Sequence, residues 1–348
     1  MTEAEDVDRI EAKCMQMCPA SECIKREKER LIHILETDPQ NTSKTRIAEK
    51  CRMIKSYRRS AAGQELTKPE LLRPPAILLQ TLDYIFNNVI HDDRVSKIAL
   101  YNFIDDRLRS IKQDGIVQRL APETWFQVLV PIVHFYVYSA YTFCEESPNN
   151  FDPKLNNDQL IDCLTRFIKL YEDHPSPKYT DSYAKIEALY LIVNFDKVEI
   201  INRAVLLELP HQDFQDTVKL VLKSYTNNYC DVFRSLPFMS LLPACLFVAL
   251  HLNKIRRRAL ETMSFAYSSK KTEYPISKLK PDLLFNSWDE AIKECQFYGI
   301  VVNSENNVQF SKRILNSEAN PRRLQHLDTK LAKISLPNLI LEIEINNL

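Results

Sequence analysis

The sequence predicts an all-α chain: an array of helical hairpins followed by a C-terminal winged-helix module with a small β-hairpin. Three observations carry that prediction. Only three glycines, Gly63, Gly115 and Gly299, stand among 348 residues, where average usage of about 7% supplies roughly 24. From Ala76 to about residue 270, apolar side chains recur at helical spacing between short polar connections. After Tyr274-Pro275 the pattern changes to helix, strand, polar turn and strand.

Residues 1–75 read as an N-terminal arm with one helix and an extended basic and proline-rich segment. Ser21 is the expected N-cap of that helix, with Ile24, Leu31, Ile32 and Leu35 on one stripe. A basic segment from Lys44 to Arg59 leads to Leu72-Arg73-Pro74-Pro75, and proline disfavours helix in the residue before it. The arm is therefore expected to lie on the surface of the helical region. Residues 76–270 form the repeat region. Leu78, Leu82, Ile85 and Val89 make one face, and Ile98, Phe103, Ile104, Leu108 and Ile111 the next. Further helices are expected to start near Pro122, Asp158, Tyr183, Val198, Asp213, Asn228, Leu241 and Arg256, as stacked antiparallel pairs. No strict repeat recurs, so the solenoid is degenerate. In residues 271–315 a helix from Pro281 to Phe297 carries Leu283, Leu284, Trp288, Ile292 and Cys295 inward. Gly299 ends it, and Ile300–Val302 and Val308–Phe310 flank a polar turn. Residues 316–348 read as a tail, basic at first and alternately apolar from Leu339 to Ile345.

Composition excludes several classes. Glycine-rich phosphate loops and nucleophile elbows cannot be written from three isolated glycines. Lys plus Arg and Asp plus Glu number 46 each, so no whole-molecule field draws the chain to nucleic acid or membrane. Trp125 to Cys144 has no formal charge over 20 residues, but polar and aromatic side chains interrupt it. A buried helix is expected there, with no membrane span. Nine scattered cysteines and the acidic start MTEAEDVD fit a reducing intracellular compartment, nuclear or cytosolic. Cys14, Cys18 and Cys23 lack a matching second ligand pair, so reduced thiols are expected and no metal. The pairs Asp92-Asp93, Asp105-Asp106 and Glu145-Glu146 point some 100° apart on a helix. Asp106 with Arg107, Arg109 and Asp114 reads as a structural ion-pair network. No histidine has a nucleophile context. No active site, cofactor or small-molecule substrate is expected.

Basic runs are the more informative feature. Arg52, Lys55, Arg58 and Arg59 cluster beside Tyr57, and Lys254 with Arg256, Arg257 and Arg258 forms a helical run. Such runs are commonly solvated faces. Lys270, Lys271, Lys278, Lys280, Lys312 and Arg313 bracket the C-terminal module and form the expected nucleic-acid patch, sequence-blind and salt-sensitive toward RNA or a single strand. Tyr274, Phe285 and Tyr298 are the expected exposed docking positions for a protein partner.

Several fragments in register resemble one family, SAC3/GANP, over residues 14 to about 315. They include Cys14-Met-Gln-Met-Cys18-Pro19, Tyr57-Arg58-Arg59-Ser60-Ala61-Ala62 and Leu72-Arg73-Pro74-Pro75 with Thr81, Asp83 and Tyr84. Phe103-Ile104-Asp105-Asp106-Arg107-Leu108-Arg109, Phe151-Asp152, Asn228-Tyr229 and Ala259-Leu260 with Met263-Ser264 and Ala266-Tyr267 continue it. The family-motif positions are thus Cys18, Pro19, Tyr57, Arg59, Arg73, Pro74, Asp106, Arg107 and Arg109. Lys13 and Cys14-Met15-Gln16 stand where the family commonly has a glycine and a Cys-Pro-Asp core. The resemblance implies a TPR-like helical region with a PCI-type winged helix, no catalysis, and a PCI-domain protein as partner. It is greatest to the small, centrosome-linked members, which implies roles in centrosome duplication and mitotic progression at the centrosome and spindle. Larger members imply a nuclear mRNA-export scaffold instead. No long helix is expected beyond residue 320.

Overall fold

Caps and N-terminal prolines set most of the helix starts. The computed structural model describes residues 10–40, 47–59, 67–269, 271–312 and 319–342. The chain divides into two compact units, residues 1–132 with 336–348, and residues 133–335. The four-segment organisation expected from sequence has its divisions elsewhere, at 75/76, 270/271 and 315/316.

The first unit holds α1 (Ala20–Lys28), α2 (Pro75–Asn87), α3 (Lys97–Gln118), the start of α4 (Pro122–Thr142) and the C-terminal helix Leu336–Leu341. Pro75 opens α2 at a position whose N–H needs no partner. Ser96 caps α3 by accepting from the Ala99 amide, and Arg119 closes it in the left-handed region at φ 50°. α1 departs from expectation. It begins after Pro19 without a side-chain cap, and Ser21 lies inside it. It ends before Arg30, whose φ is 56°, so the expected stripe is divided: Ile24 and Leu31 are exposed while Ile32 and Leu35 are buried beyond the helix.

The arm is not a surface feature. Met53, Ile54, Leu72 and Arg73 have no exposed surface, because the irregular chain between α1 and α2 folds its charged groups against partners of opposite charge on α1 and α3. The expected alternately apolar end also changes character. Leu336–Leu341 is helical and buries Pro337, Leu339 and Ile340 in contact with α2; residues 343–348 lie outside the described residues.

Gly115 is required by a close approach. A Cβ added there would lie 2.9 Å from both the Leu120 Cδ1 and the Trp125 ring. In Gly115→Ala the better helix propensity gains about 1 kcal/mol, against about 1–3 kcal/mol of overpacking. Net destabilisation of about 1 kcal/mol is expected, read as a lower urea midpoint.

The second unit holds the rest of α4, then α5 (Pro153–Asp173), α6 (Thr180–Val193), α7 (Val198–Leu207), α8 (Gln212–Tyr225), α9 (Tyr229–Ser235) and α10 (Leu241–Ala266). Asp152 accepts from the Lys154 and Leu155 amides, so α5 starts at Pro153, ahead of the expected Asp158. No helix starts at Arg256, because α10 runs through it unbroken. Pro243 sits in the first turn, where its missing N–H costs no helical bond. α5 packs on α6, and α6 on α8 and α10. Ala184, Ala188, Leu191, Phe195, Ile201, Phe214 and Val221 form one core cluster among α6, α7 and α8. Among the described residues no helix is long and apolar enough to cross a membrane.

His251 lies buried inside α10, with Nε2 2.7 Å from the Ile192 carbonyl. A carbonyl only accepts, so Nε2 carries the proton of a neutral ring. Burial lowers its pKa from 6.5 to about 4; Lys254 works in the same direction, while the Ile192 bond and Asp196 oppose. The unfolded chain therefore binds more protons between those values, and stability is lost as pH falls through that window. Between pH 7 and 5 the loss is about 2 kcal/mol, measurable from urea midpoints. His251→Gln is expected to flatten that dependence.

After α10 come β1 (Tyr274–Pro275), α11 (Ile276–Asp282), α12 (Trp288–Phe297), β2 (Val301–Val302), β3 (Asn307–Gln309) and α13 (Gln325–Leu331). The strands form an antiparallel sheet of order β1-β3-β2, with Tyr274 opposite Val308 and Val302 also opposite Val308. The expected hairpin is present; β1, too short for any periodicity, adds a third strand. The expected single helix from Pro281 is two helices. Leu284 takes φ 53°, and Ser287 caps α12 by accepting from the Glu290 amide. Gly299 ends α12 at φ 74°, a conformation open to glycine without a Cβ penalty.

Candidate functional site

Four of the six residues of the expected basic patch lie among the described residues. Lys271, Lys278 and Lys312 are exposed and Lys280 is half-buried, while Lys270 and Arg313 lie outside the described residues. Lys278 and Lys280 stand two positions apart on α11, about 200° around a helix, so they do not share a face. Residues 271–312 carry five lysines against six carboxylates. One of these, Glu273, accepts from the side chains of Asn303, Asn307 and Gln309 across the turn and sheet.

The expected docking residues are corrected by burial. Tyr298 is fully buried, its hydroxyl accepting from the Ala319 amide at 2.9 Å. Phe285 is buried beneath the Arg256 guanidinium, 4.3 Å from the ring centroid. Tyr274 is half-buried and donates to Asp282. Helical spacing marks a residue as apolar-facing without saying whether a neighbour covers it. The apolar positions that are exposed here are Trp288 (49%), Phe297 (42%) and Val301 (59%), and β2 is an edge strand.

Arg256 is also unlike the expected basic run. It has no exposed surface, donates through Nε to the Leu283 carbonyl at 3.0 Å and also to the Leu284 carbonyl, and pairs with Glu290 at 3.1 Å. Burial lowers its pKa, with Glu294 and Glu290 opposing. Arg257 pairs with Glu261 at 3.5 Å, and Arg258 is exposed.

The first unit contains a buried charge network. Asp114 is fully buried; it accepts from Arg73 Nε at 2.7 Å and from Lys55 Nζ. Arg73 also donates to Ser110 at 2.9 Å, and Lys55 to the Leu71 carbonyl at 2.6 Å. Glu36, likewise fully buried, pairs with Arg26 and with Arg107 at 3.2 Å, and accepts from the Ile54 amide. Burial works against the charge of Arg26, yet Glu36, with smaller contributions from Cys18 and Glu22, opposes it, and the net effect is a raised Arg26 pKa. Glu22 accepts from Ser56 at 2.9 Å and Arg58 at 3.0 Å.

Most family-motif positions meet in or beside this network. Asp106 pairs with Arg107 and accepts from the Tyr57 amide at 3.2 Å. Arg109 lies 4.1 Å over the Tyr57 ring and 4.0 Å from Asp105. The Pro19 carbonyl accepts from Glu22 and Cys23, and the Pro74 carbonyl from Ile77 and Leu78. Burial raises the pKa of the Cys18 thiol, with Glu22 adding to it. Arg59 is exposed and stands apart. Of the expected network of Asp106, Arg107, Arg109 and Asp114, the Asp106–Arg107 pair is present, whereas Arg109 lies against Asp105 and Asp114 binds Arg73 and Lys55 instead. Sequence reasoning missed Glu22, Glu36 and the burial of Lys55, since no local period links Glu22 to Ser56, Glu36 to Arg107 or Lys55 to Asp114, which are 34, 71 and 59 positions apart. Among the described residues no group of three or more histidine, cysteine or carboxylate side chains is placed to hold a metal.

Fold and surfaces define a helical-array protein whose C-terminal part carries a small three-stranded sheet module. The SAC3/GANP family model matches residues 17–304. The chain belongs to the SAC3/GANP family. It is similar to Protein xmas of Drosophila melanogaster, 27% identical over 341 residues, covering 92% of this chain and 16% of that protein. SAC3 family protein 1 of Schizosaccharomyces pombe is 23% identical over 352 residues, covering 93% and 34%. SAC3 family protein B of Arabidopsis thaliana is 25% identical over 267 residues, covering 72% and 15%. The chain thus spans about a third or less of the length of these relatives. Neither the family description nor the relatives' names indicate an enzyme.

Proposed function

We propose that the chain is a non-enzymatic interaction scaffold, and that its residues 271–315 act as a PCI-type winged helix pairing with a second PCI-domain protein. The observation that carries this reading is the family match over residues 17–304, joined to a helical array followed by a helix-and-sheet module. The exposed Trp288, Phe297 and Val301 and the edge strand β2 supply apolar area and unpaired backbone groups for such pairing. The finer role assigned is in centrosome duplication and mitotic progression, at the centrosome and spindle. Its support is the resemblance to the small members of the family.

The test uses the full chain, because the C-terminal helix packs in the first unit and truncation would expose α2. Trp288→Glu and Val301→Asp together are expected to abolish co-purification with a PCI-domain protein while leaving the circular dichroism spectrum intact. Undiminished recovery of that protein would remove the pairing reading. Proximity labelling in dividing cells, scored separately for centrosomal and export-complex proteins, separates the mitotic role from a second reading, a nuclear mRNA-export adaptor that binds RNA through its lysines. The slight excess of carboxylates over lysines in residues 271–312 favours the protein-pairing reading over RNA. Direct RNA binding predicts affinity that falls steeply with salt.

A further inference from the structure

A groove in the second unit is lined by residues other than Trp288, Phe297 and Val301, the positions assigned to PCI pairing. It has a volume of about 560 Å³. Arg258, Thr262 and Phe265 form one wall, at spacings of four and three that place them on one face of α10. Tyr225 and Asn227 at the end of α8, with Phe195 and Asp196 after α6, form the other walls. Phe195 is 5% exposed and makes an apolar floor, while Tyr225 and Phe265 stand at 53% and 66% exposure on the rim. An exposed aromatic pair over an apolar floor fits an inserted side chain better than it fits bulk water.

Two polar observations indicate the chemistry of the occupant. The Arg258 guanidinium is exposed and makes no hydrogen bond or ion pair among the described residues, whereas the neighbouring Arg257 pairs with Glu261. Where the groove narrows into a recess shared by Asn227, Arg258 and Thr262, the buried Ser224 hydroxyl has no hydrogen-bond partner. We propose that this groove docks a short peptide segment of a partner protein, one that carries an aromatic or large aliphatic anchor beside an acidic residue. The anchor lies on Phe195 between Tyr225 and Phe265, and the acidic side chain meets Arg258. The Asn227 amide and the Ser224 hydroxyl serve the peptide backbone. A single-stranded nucleic acid would find stacking partners here, but its run of phosphates would have to pass Asp196 and Glu261, whereas the peptide brings a single carboxylate, placed at Arg258. Mixed charge favours the peptide.

The experiment selects a phage-displayed random peptide library on the full chain. Recovered peptides are synthesised with a fluorescent label and titrated by anisotropy against wild type, Arg258→Glu and Phe265→Ser. Both positions are exposed, so the variants are expected to keep the wild-type circular dichroism spectrum. The expected result is enrichment of Asp or Glu next to Phe, Trp or Leu, with affinity falling about tenfold or more in each variant. Hydrogen exchange is expected to slow on binding in residues 224–229 and 258–265. No enrichment, enrichment of basic peptides, or equal affinity for all three proteins would overturn the proposal. So would Arg258-dependent binding of labelled oligouridylate without any acidic peptide. None of these readouts depends on the PCI pairing.

Discussion

Asp114→Ala is expected to cost about 3–5 kcal/mol, the usual penalty for leaving a buried charge without its partner. That is a large share of a domain stability of about 5–15 kcal/mol. Asp114 has no exposed surface and holds two cations, Arg73 and Lys55, each at most 7% exposed. Lys55 has an escape, since a buried lysine can shed its proton. Arg73 has none, because a guanidinium stays charged. Adding Arg73→Met to Asp114→Ala is therefore expected to recover part of the loss, by replacing the stranded cation with an apolar chain of similar length. The measurement is a double-mutant cycle of urea midpoints. A single-variant loss below about 1 kcal/mol would mean that water reaches the site and that the pairing contributes little.

Arg256→Met is the second large effect. It removes the donors to the Leu283 and Leu284 carbonyls and leaves Glu290 and Glu294 without their cation. Burial already raises the pKa of Glu294, with Glu290 adding to it and Arg256 opposing, so losing that guanidinium pushes it further toward the neutral form. The cost is again about 3–5 kcal/mol. It is expected to be regional, because the bonds converge on the α11–α12 junction. Amide exchange should accelerate across residues 276–297 while the cluster of Ala188, Phe214 and Val221 keeps its protection. Arg256→Lys is expected to rescue poorly, since one ammonium cannot reproduce the fork that reaches two carbonyls and a carboxylate. Uniform acceleration over the whole second unit would show instead that α10 itself had been disrupted.

Much of the fold is local in origin. The α3 and α5 starts follow from Ser96 and from Asp152-Pro153, and Gly299 ends α12 where a positive φ is required. The β2–β3 hairpin follows from two apolar runs around an Asn-rich turn. Errors arose where a local signal met a distant partner. The helix expected to run unbroken from Pro281 to Phe297 is interrupted at Leu283–Asn286, where Arg256, 27 positions earlier, binds the Leu283 carbonyl. Basic residues at 52–59 read as solvated because lysine and arginine usually are, yet Lys55 is buried on Asp114, 59 positions away.

The amino-acid order alone therefore determined the helical class, the change of pattern near residue 275, the motif fragments that place the chain in its family, and the exclusion of glycine-loop chemistry. Those are properties of period, composition and spacing, which a chain carries before it folds. Only the tertiary structure decided which apolar and charged side chains are covered. Phe285, Tyr298, Arg73 and Arg256 went inside, while Trp288, Val301, Phe265 and Arg258 stayed out. Periodicity tells a residue which face it occupies; desolvation depends on which distant segment comes to lie against that face.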